Sequence, residues 1–229
     1  MKNLNEIPIN EPVLEYKSKS KEKVELKKKI EELKNKKIDI PMFIGGKEIR
    51  TDNKIRISTP HDHNHTLGFY NKGDESHVKS AIKAAMNAKE NWNKIGPEKR
   101  AKIFIKAAEL FAGPYRSEIN ATTMLGQSKN VFQAEIDAAC ELIDFLRFNP
   151  YYMKKIHEDQ PISPNGMKNS LSYRPLEGFI FALSPFNFTS IAGNLCSSVA
   201  LMGNTVVWKA SSTQIYSANT IMKVFKKAG

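Results

Sequence analysis

Residues 178–209, GFIFALSPFNFTSIAGNLCSSVALMGNTVVWK, constrain the fold more than any other stretch. FIFAL and TVVW are nearly continuous apolar runs, the pattern of strands buried on both faces of a parallel sheet. Pro185 has no backbone donor and cannot continue a central strand, so the chain turns at SPFNF. Residues 189–202 have the spacing of a helix, and Ala192, Gly193, Ser197 and Ala200 let it lie close to a sheet. Gly203 and Asn204 end it. A strand, a helix and a strand of this length predict a right-handed crossover, leaving the two strands parallel with their carboxyl ends on one edge. In open parallel sheets that edge is where ligands bind. Ser184 to Asn187 leave the first strand there and Lys209 leaves the second. A serine, an asparagine amide and a lysine suit a ribose, a phosphate or a developing oxyanion, yet no glycine-rich phosphate turn is present. A surface lysine and a turn asparagine would leave the same pattern.

Upstream, residues 41–72 have β character. Gly45-Gly46 predicts a hairpin inside PMFIGGKEIR, and IRIS and TLGFY follow as short strands. In HDHNH, His61, His63 and His65 would share one side of an extended segment, as metal ligands do. A polar loop after Pro60 is the preferred reading, with no metal. Four helices are expected next. Asp74 caps the first, over Val78, Ala81, Ile82, Ala85 and Trp92. Gly96-Pro97 starts the second, carrying Ile103, Phe104, Ala107, Ala108 and Phe111. The third covers about 118–125. The fourth, 129–149, buries Val131, Phe132, Ile136, Cys140, Ile143 and Leu146 at a helical period. It leaves Gln133, Asp137, Glu141 and Asp144 as a solvated acidic stripe. Residues 150–174 form a polar connector with room for one edge strand.

The net charge of +11 comes largely from residues 17–37, KSKSKEKVELKKKIEELKNKK. A nucleic-acid or acidic-lipid tether is disfavoured there by the interleaved Glu22, Glu25, Glu31 and Glu32 and by the lack of aromatics; a solvated helix or arm fits better. Only weak, non-specific nucleic-acid association is expected. Apolar runs stay well short of the ~20 residues that cross a bilayer, so no membrane partner is expected. The first residues lack a secretory h-region, so the cytoplasm is the default location. Cys140 and Cys196 do not make a disulfide framework.

SPFNF, GN and ALMGNTVVWKASS together resemble the aldehyde dehydrogenase superfamily. TMLGQSKNVFQAEIDAACELIDFLRFN and STPHDHNHTLGFYNKGD resemble its glutamate γ-semialdehyde (Δ1-pyrroline-5-carboxylate) branch. The resemblance runs from about Pro41 to Gly229. It implies an α/β fold, the amino-terminal part of the family architecture: an arm at 1–40, a β segment of an oligomerisation arm at 41–72, a helical layer with connector at 73–175 and the start of a parallel NAD-binding sheet at 176–229. It implies that Asn187 stabilises an oxyanion, that Ser184 and Lys209 contact the cofactor, and that Glu141 faces the substrate amine. Ser212 stands where many relatives carry an acid that repels a 2′-phosphate. NAD is therefore the expected cofactor, with NADP left open. Partners implied are a small-molecule aldehyde and further copies of the complete enzyme.

The family reaction needs a nucleophilic cysteine and a glutamate base. Neither Cys140 nor Cys196 lies in the nucleophile's motif. The expectation is an amino-terminal portion of a larger enzyme with no turnover of its own. An aldehyde dehydrogenase of other specificity and a non-catalytic nucleotide-binding or assembly fragment remain as alternatives.

Overall fold

The computed structural model describes residues 6–229; the first five residues of the expected arm lie outside them. Two apolar cores organise the described residues. The larger is built from helices α3 (Pro97–Ala112), α4 (Arg116–Gln127), α6 (Leu142–Glu158), α7 (Thr189–Leu201) and α8 (Ile215–Ala228), through Phe104, Phe111, Ile119, Leu142, Ile143, Leu146, Ile221 and Val224. The second joins α1 (Lys21–Asn35) to a small sheet through Tyr16, Leu26, Leu33, Ile40, Ile57, Leu67 and Tyr216. The lysine-rich helix is thus anchored: Leu26 and Leu33 are buried while its charges face water. Its start is capped by Ser20, which accepts from the Lys23 N–H.

That sheet has the order β1 (Ile38–Ile40), β5 (Asp62–Asn71), β4 (Lys54–Thr59). β4 and β5 form an antiparallel hairpin, and β1 adds in parallel with Ile38 opposite Gly68. β2 (Met42–Ile44) and β3 (Lys47–Ile49) form the expected hairpin, with Gly45 and Gly46 both at positive φ. The loop expected at HDHNH is a turn at Pro60 and His61 that opens β5, so His63 and His65 lie on a strand. Pairing with β4 overrode the polar composition. His61 Nδ1 lies 2.8 Å from Ser128 Oγ, and among the described residues no group of three His, Cys, Asp or Glu is arranged to hold a metal ion.

The helices follow the predicted starts. Asp74 accepts from the Ser76 and His77 backbone N–H groups at the head of α2 (Glu75–Lys94). Arg100, buried at 3 % exposure, donates from Nε to the Leu201 carbonyl at 2.8 Å and so closes the end of α7. The fourth helix departs from its reading. α5 (Val131–Ala134) passes into a π-helical stretch, Glu135–Glu141, and then α6, which runs through Pro150 to Glu158. The wider π turn rotates every following side chain relative to a 3.6-residue repeat. Asp137, expected in the solvated stripe, is accordingly 5 % exposed, while Phe132, in α5 ahead of the π stretch and expected in the core, lies 63 % exposed. Residues 159–179 contain neither helix nor strand, so the edge strand allowed for the connector does not form.

The carboxyl-terminal unit has the predicted topology. β6 (Ile180–Leu183) and β7 (Val206–Lys209) pair in parallel across α7, with Leu183 opposite Lys209. Burial on both strand faces is not found: Phe181 and Leu183 are exposed. Among the described residues, no helix is long and apolar enough to cross a membrane.

Candidate functional site

The register of β6 and β7 puts the two strand ends side by side. The Ser184 N–H donates to the Lys209 carbonyl at 3.3 Å, extending the ladder by one rung. The Ser184 hydroxyl, 4 % exposed, accepts from the Trp208 indole N–H at 3.0 Å. Its oxygen is committed to the sheet, leaving its own hydrogen to donate. Asn187, Lys209 and Ser212 are exposed around this edge. Asn187 comes two residues before α7 starts, in a turn forced by Pro185; Ser212 opens the turn into α8.

The head of α7 is held from a distance. Phe188, its cap residue, offers no side-chain acceptor. Asp137 supplies one instead: Oδ2 accepts from the Thr189 N–H at 3.1 Å, and Oδ1 from the Ser190 N–H at 3.2 Å and the Ser190 hydroxyl at 2.8 Å. Lys129 Nζ lies 2.6 Å from Asp137 Oδ2 and 4.7 Å from the centre of the Phe188 ring, neutralising the buried carboxylate while covering the aromatic. The Thr189 hydroxyl is enclosed by Thr123, Gln127 and Ser217 at 2.8–3.0 Å. Glu141 is exposed, and its Oε2 lies 2.8 Å from the same Ser190 hydroxyl. The structure therefore brings Glu141 to the α7 terminus through Ser190, a contact that sequence spacing did not give.

A second polar cluster lies away from this edge. Glu135, fully buried, accepts from Tyr16 Oη and Asn120 Nδ2 at 2.7 Å each, from the Leu14 N–H at 2.9 Å and from Arg116 Nε at 3.2 Å. Arg116 also pairs with Glu11. Burial pushes the Tyr16 hydroxyl pKa up, and the Glu135 carboxylate adds to the rise. These bonds fasten the extended amino-terminal segment to the helices. Neither cluster is legible from spacing, because both depend on acids that the π turn carries inward.

Cys140 and Cys196 are free and buried. Burial pushes each thiol up to about 12, with Glu135 adding to the effect at Cys140. Cys140 borders the Arg116–Glu135 pair, with Arg116 Nη2 at 3.6 Å from its sulfur, and Cys196 faces its own helix. Neither thiol opens onto the strand edge.

The site can thus hold a polar ligand at the carboxyl end of a parallel strand pair and present an amide in the turn that follows. Comparison with known proteins agrees with this architecture. The aldehyde dehydrogenase family model matches residues 48–229. The chain is 44% identical over 221 residues to the Delta-1-pyrroline-5-carboxylate dehydrogenase, mitochondrial, of Danio rerio, covering 96% of this chain and 40% of the relative. The human protein of the same name is 44% identical over 220 residues, with 39% of its length covered. The crystal structure of the Delta-pyrroline-5-carboxylate dehydrogenase from Mycobacterium tuberculosis bound with NAD superposes with a TM-score of 0.96 at 48% identity, covering 98% of this chain and 42% of that one. A 1-pyrroline-5-carboxylate dehydrogenase from Thermus shares the fold at 23% identity and a TM-score of 0.88. The chain spans about 40% of the length of the curated relatives it matches. Strand-edge geometry, family model and structural likeness converge, and the chain belongs to the aldehyde dehydrogenase family.

Proposed function

We propose that this chain forms an amino-terminal portion of an NAD-dependent dehydrogenase that oxidises L-glutamate γ-semialdehyde, from pyrroline-5-carboxylate, to L-glutamate in proline catabolism. The observation that carries the reading is the parallel end of β6 and β7, where Ser184 bonds Lys209 and the turn bearing Asn187 leaves the strand. Lys209 binds the adenosine ribose hydroxyls, Ser184 donates to the cofactor, and Ser212 lies beside the same ribose. Asn187 donates its amide N–H to the oxyanion of the attacked aldehyde, and Glu141 faces the substrate amine. NAD is the cofactor we favour, supported by the NAD-bound relative at 48% identity. Residues 176–229 serve as the first unit of the cofactor-binding sheet behind the helical layer of 73–175. Residues 41–72 serve in subunit association of the complete enzyme, and residues 1–40 as its amino-terminal arm. The cytoplasm is the proposed location, and fractionation with mitochondria would overturn it.

The 229-residue chain alone does not turn over in this reading, because hydride transfer needs a thiolate nucleophile. Both of its thiols are buried and protonated at neutral pH. The test is an NAD titration followed by backbone amide NMR. Expected are shift changes confined to residues 184, 186–188 and 209–212, weaker with NADP. No change at these positions at millimolar NAD sinks the cofactor reading. NADH formation from the semialdehyde by the isolated chain sinks the assignment of inactivity.

A further inference from the structure

Asn187 can serve as an oxyanion donor only if its backbone is fixed, because a donor helps a transition state to the extent that it is preorganised. It sits in an exposed turn and cannot be held by its own surroundings alone. What fixes the turn lies on the residues that follow. Thr189 and Ser190 begin α7, and their N–H groups have no partner within the helix. Both point at one carboxylate, Asp137, delivered from another helix by the π turn. Lys129 completes the arrangement, since one ammonium touches that carboxylate and the ring of Phe188, the neighbour of Asn187.

We propose that Asp137, charge-balanced by Lys129, is the positioning residue for Asn187. The inference rests on the dehydrogenase reading for what Asn187 does, and on the geometry alone for how it is held. Ser190 extends the arrangement toward substrate. Its hydroxyl has one hydrogen and two carboxylate oxygens at 2.8 Å, Asp137 Oδ1 and Glu141 Oε2. That one hydrogen is shared between the two carboxylates, so Ser190 ties Glu141 to the same anchor that holds the head of α7.

Amide hydrogen exchange on the isolated chain tests this. In D137A, protection of the Thr189 and Ser190 amides is expected to fall about tenfold, the size of a lost helix cap. The Asn187 side-chain amide resonances broaden, and the amides of Ile221 and Val224 in α8 stay protected. D137N, which keeps the volume and a single carbonyl acceptor, restores protection at one of the two amides. It carries the test if D137A does not fold. In a catalytically complete enzyme, D137A lowers kcat about tenfold with KM for NAD unchanged, whereas a global defect would move both. Unchanged protection at Thr189 and Ser190, or unchanged Asn187 resonances, overturns the proposal. The dehydrogenase reading fails separately, when the wild-type chain shows no NAD-dependent shift at Ser184 and Lys209.

Discussion

Arg116 and Glu135 form an ion pair in the interior, with Arg116 Nε 3.2 Å from Glu135 Oε1 and the carboxylate fully buried. A buried pair of this kind is stable only because every remaining lone pair is used, here by Tyr16, Asn120 and the Leu14 N–H. Removing one partner strands the other. Arg116→Met is expected to cost about 3–5 kcal/mol. Thermal melting should fall by about 10 °C, measured by circular dichroism.

The same carboxylate makes stability depend on acid. Burial alone would raise the Glu135 pKa, but Arg116, the Leu14 N–H and Tyr16 outweigh it and hold it below its ordinary value near 4.5. A depressed folded-state pKa means its contribution is complete above about pH 4.5 and is lost as pH falls through the folded value. Acid titration of the unfolding free energy should show a shallower loss in Glu135→Gln than in the wild type.

Thiol chemistry offers an independent check on the burial of both cysteines. Native protein at pH 8 should show no fast-reacting thiol with an aromatic disulfide reagent, and both should react once guanidinium unfolds it. A fast thiol in the native state would show that Cys140 or Cys196 is open to solvent.

Gly68 is the tightest backbone approach in the small sheet. A Cβ there would lie 2.1 Å from the Ile38 carbonyl oxygen, at a φ of +153°. Gly68→Ala must therefore push β1 away from β5, with a loss of at least about 2 kcal/mol. Exchange of the amides in residues 38–40 would report the separation directly, and unchanged protection would contradict it.

Lys209→Met tests the cofactor edge. The side chain is exposed, so stability should be unchanged within about 0.5 kcal/mol. Affinity for NAD should fall about ten- to hundredfold, the loss expected for a charged hydrogen bond, as measured by calorimetry. Equal affinity in the variant would remove Lys209 from the proposed site.

Local patterns settled much of this protein. The run from Phe179 to Lys209 specified strand, turn, helix and strand, because a proline that lacks a donor and a helix of small residues leave few ways to pack. Gly45-Gly46 and Asp74 likewise fixed a hairpin and a helix start through backbone chemistry that acts within a few residues. Tertiary structure decided the rest. A regular 3.6-residue repeat assigns Phe132 to the core and Asp137 to solvent; the fold leaves the first exposed and the π turn buries the second. Glu135 and Asp137 could be buried only where Arg116 from another helix and Lys129 from the preceding turn arrive to compensate them, pairings that a regular helical repeat does not mark. The contact of Glu141 with the head of α7 has the same origin: it exists only once α7 docks on the helix that carries Asp137, since one hydroxyl, that of Ser190, must meet both acids.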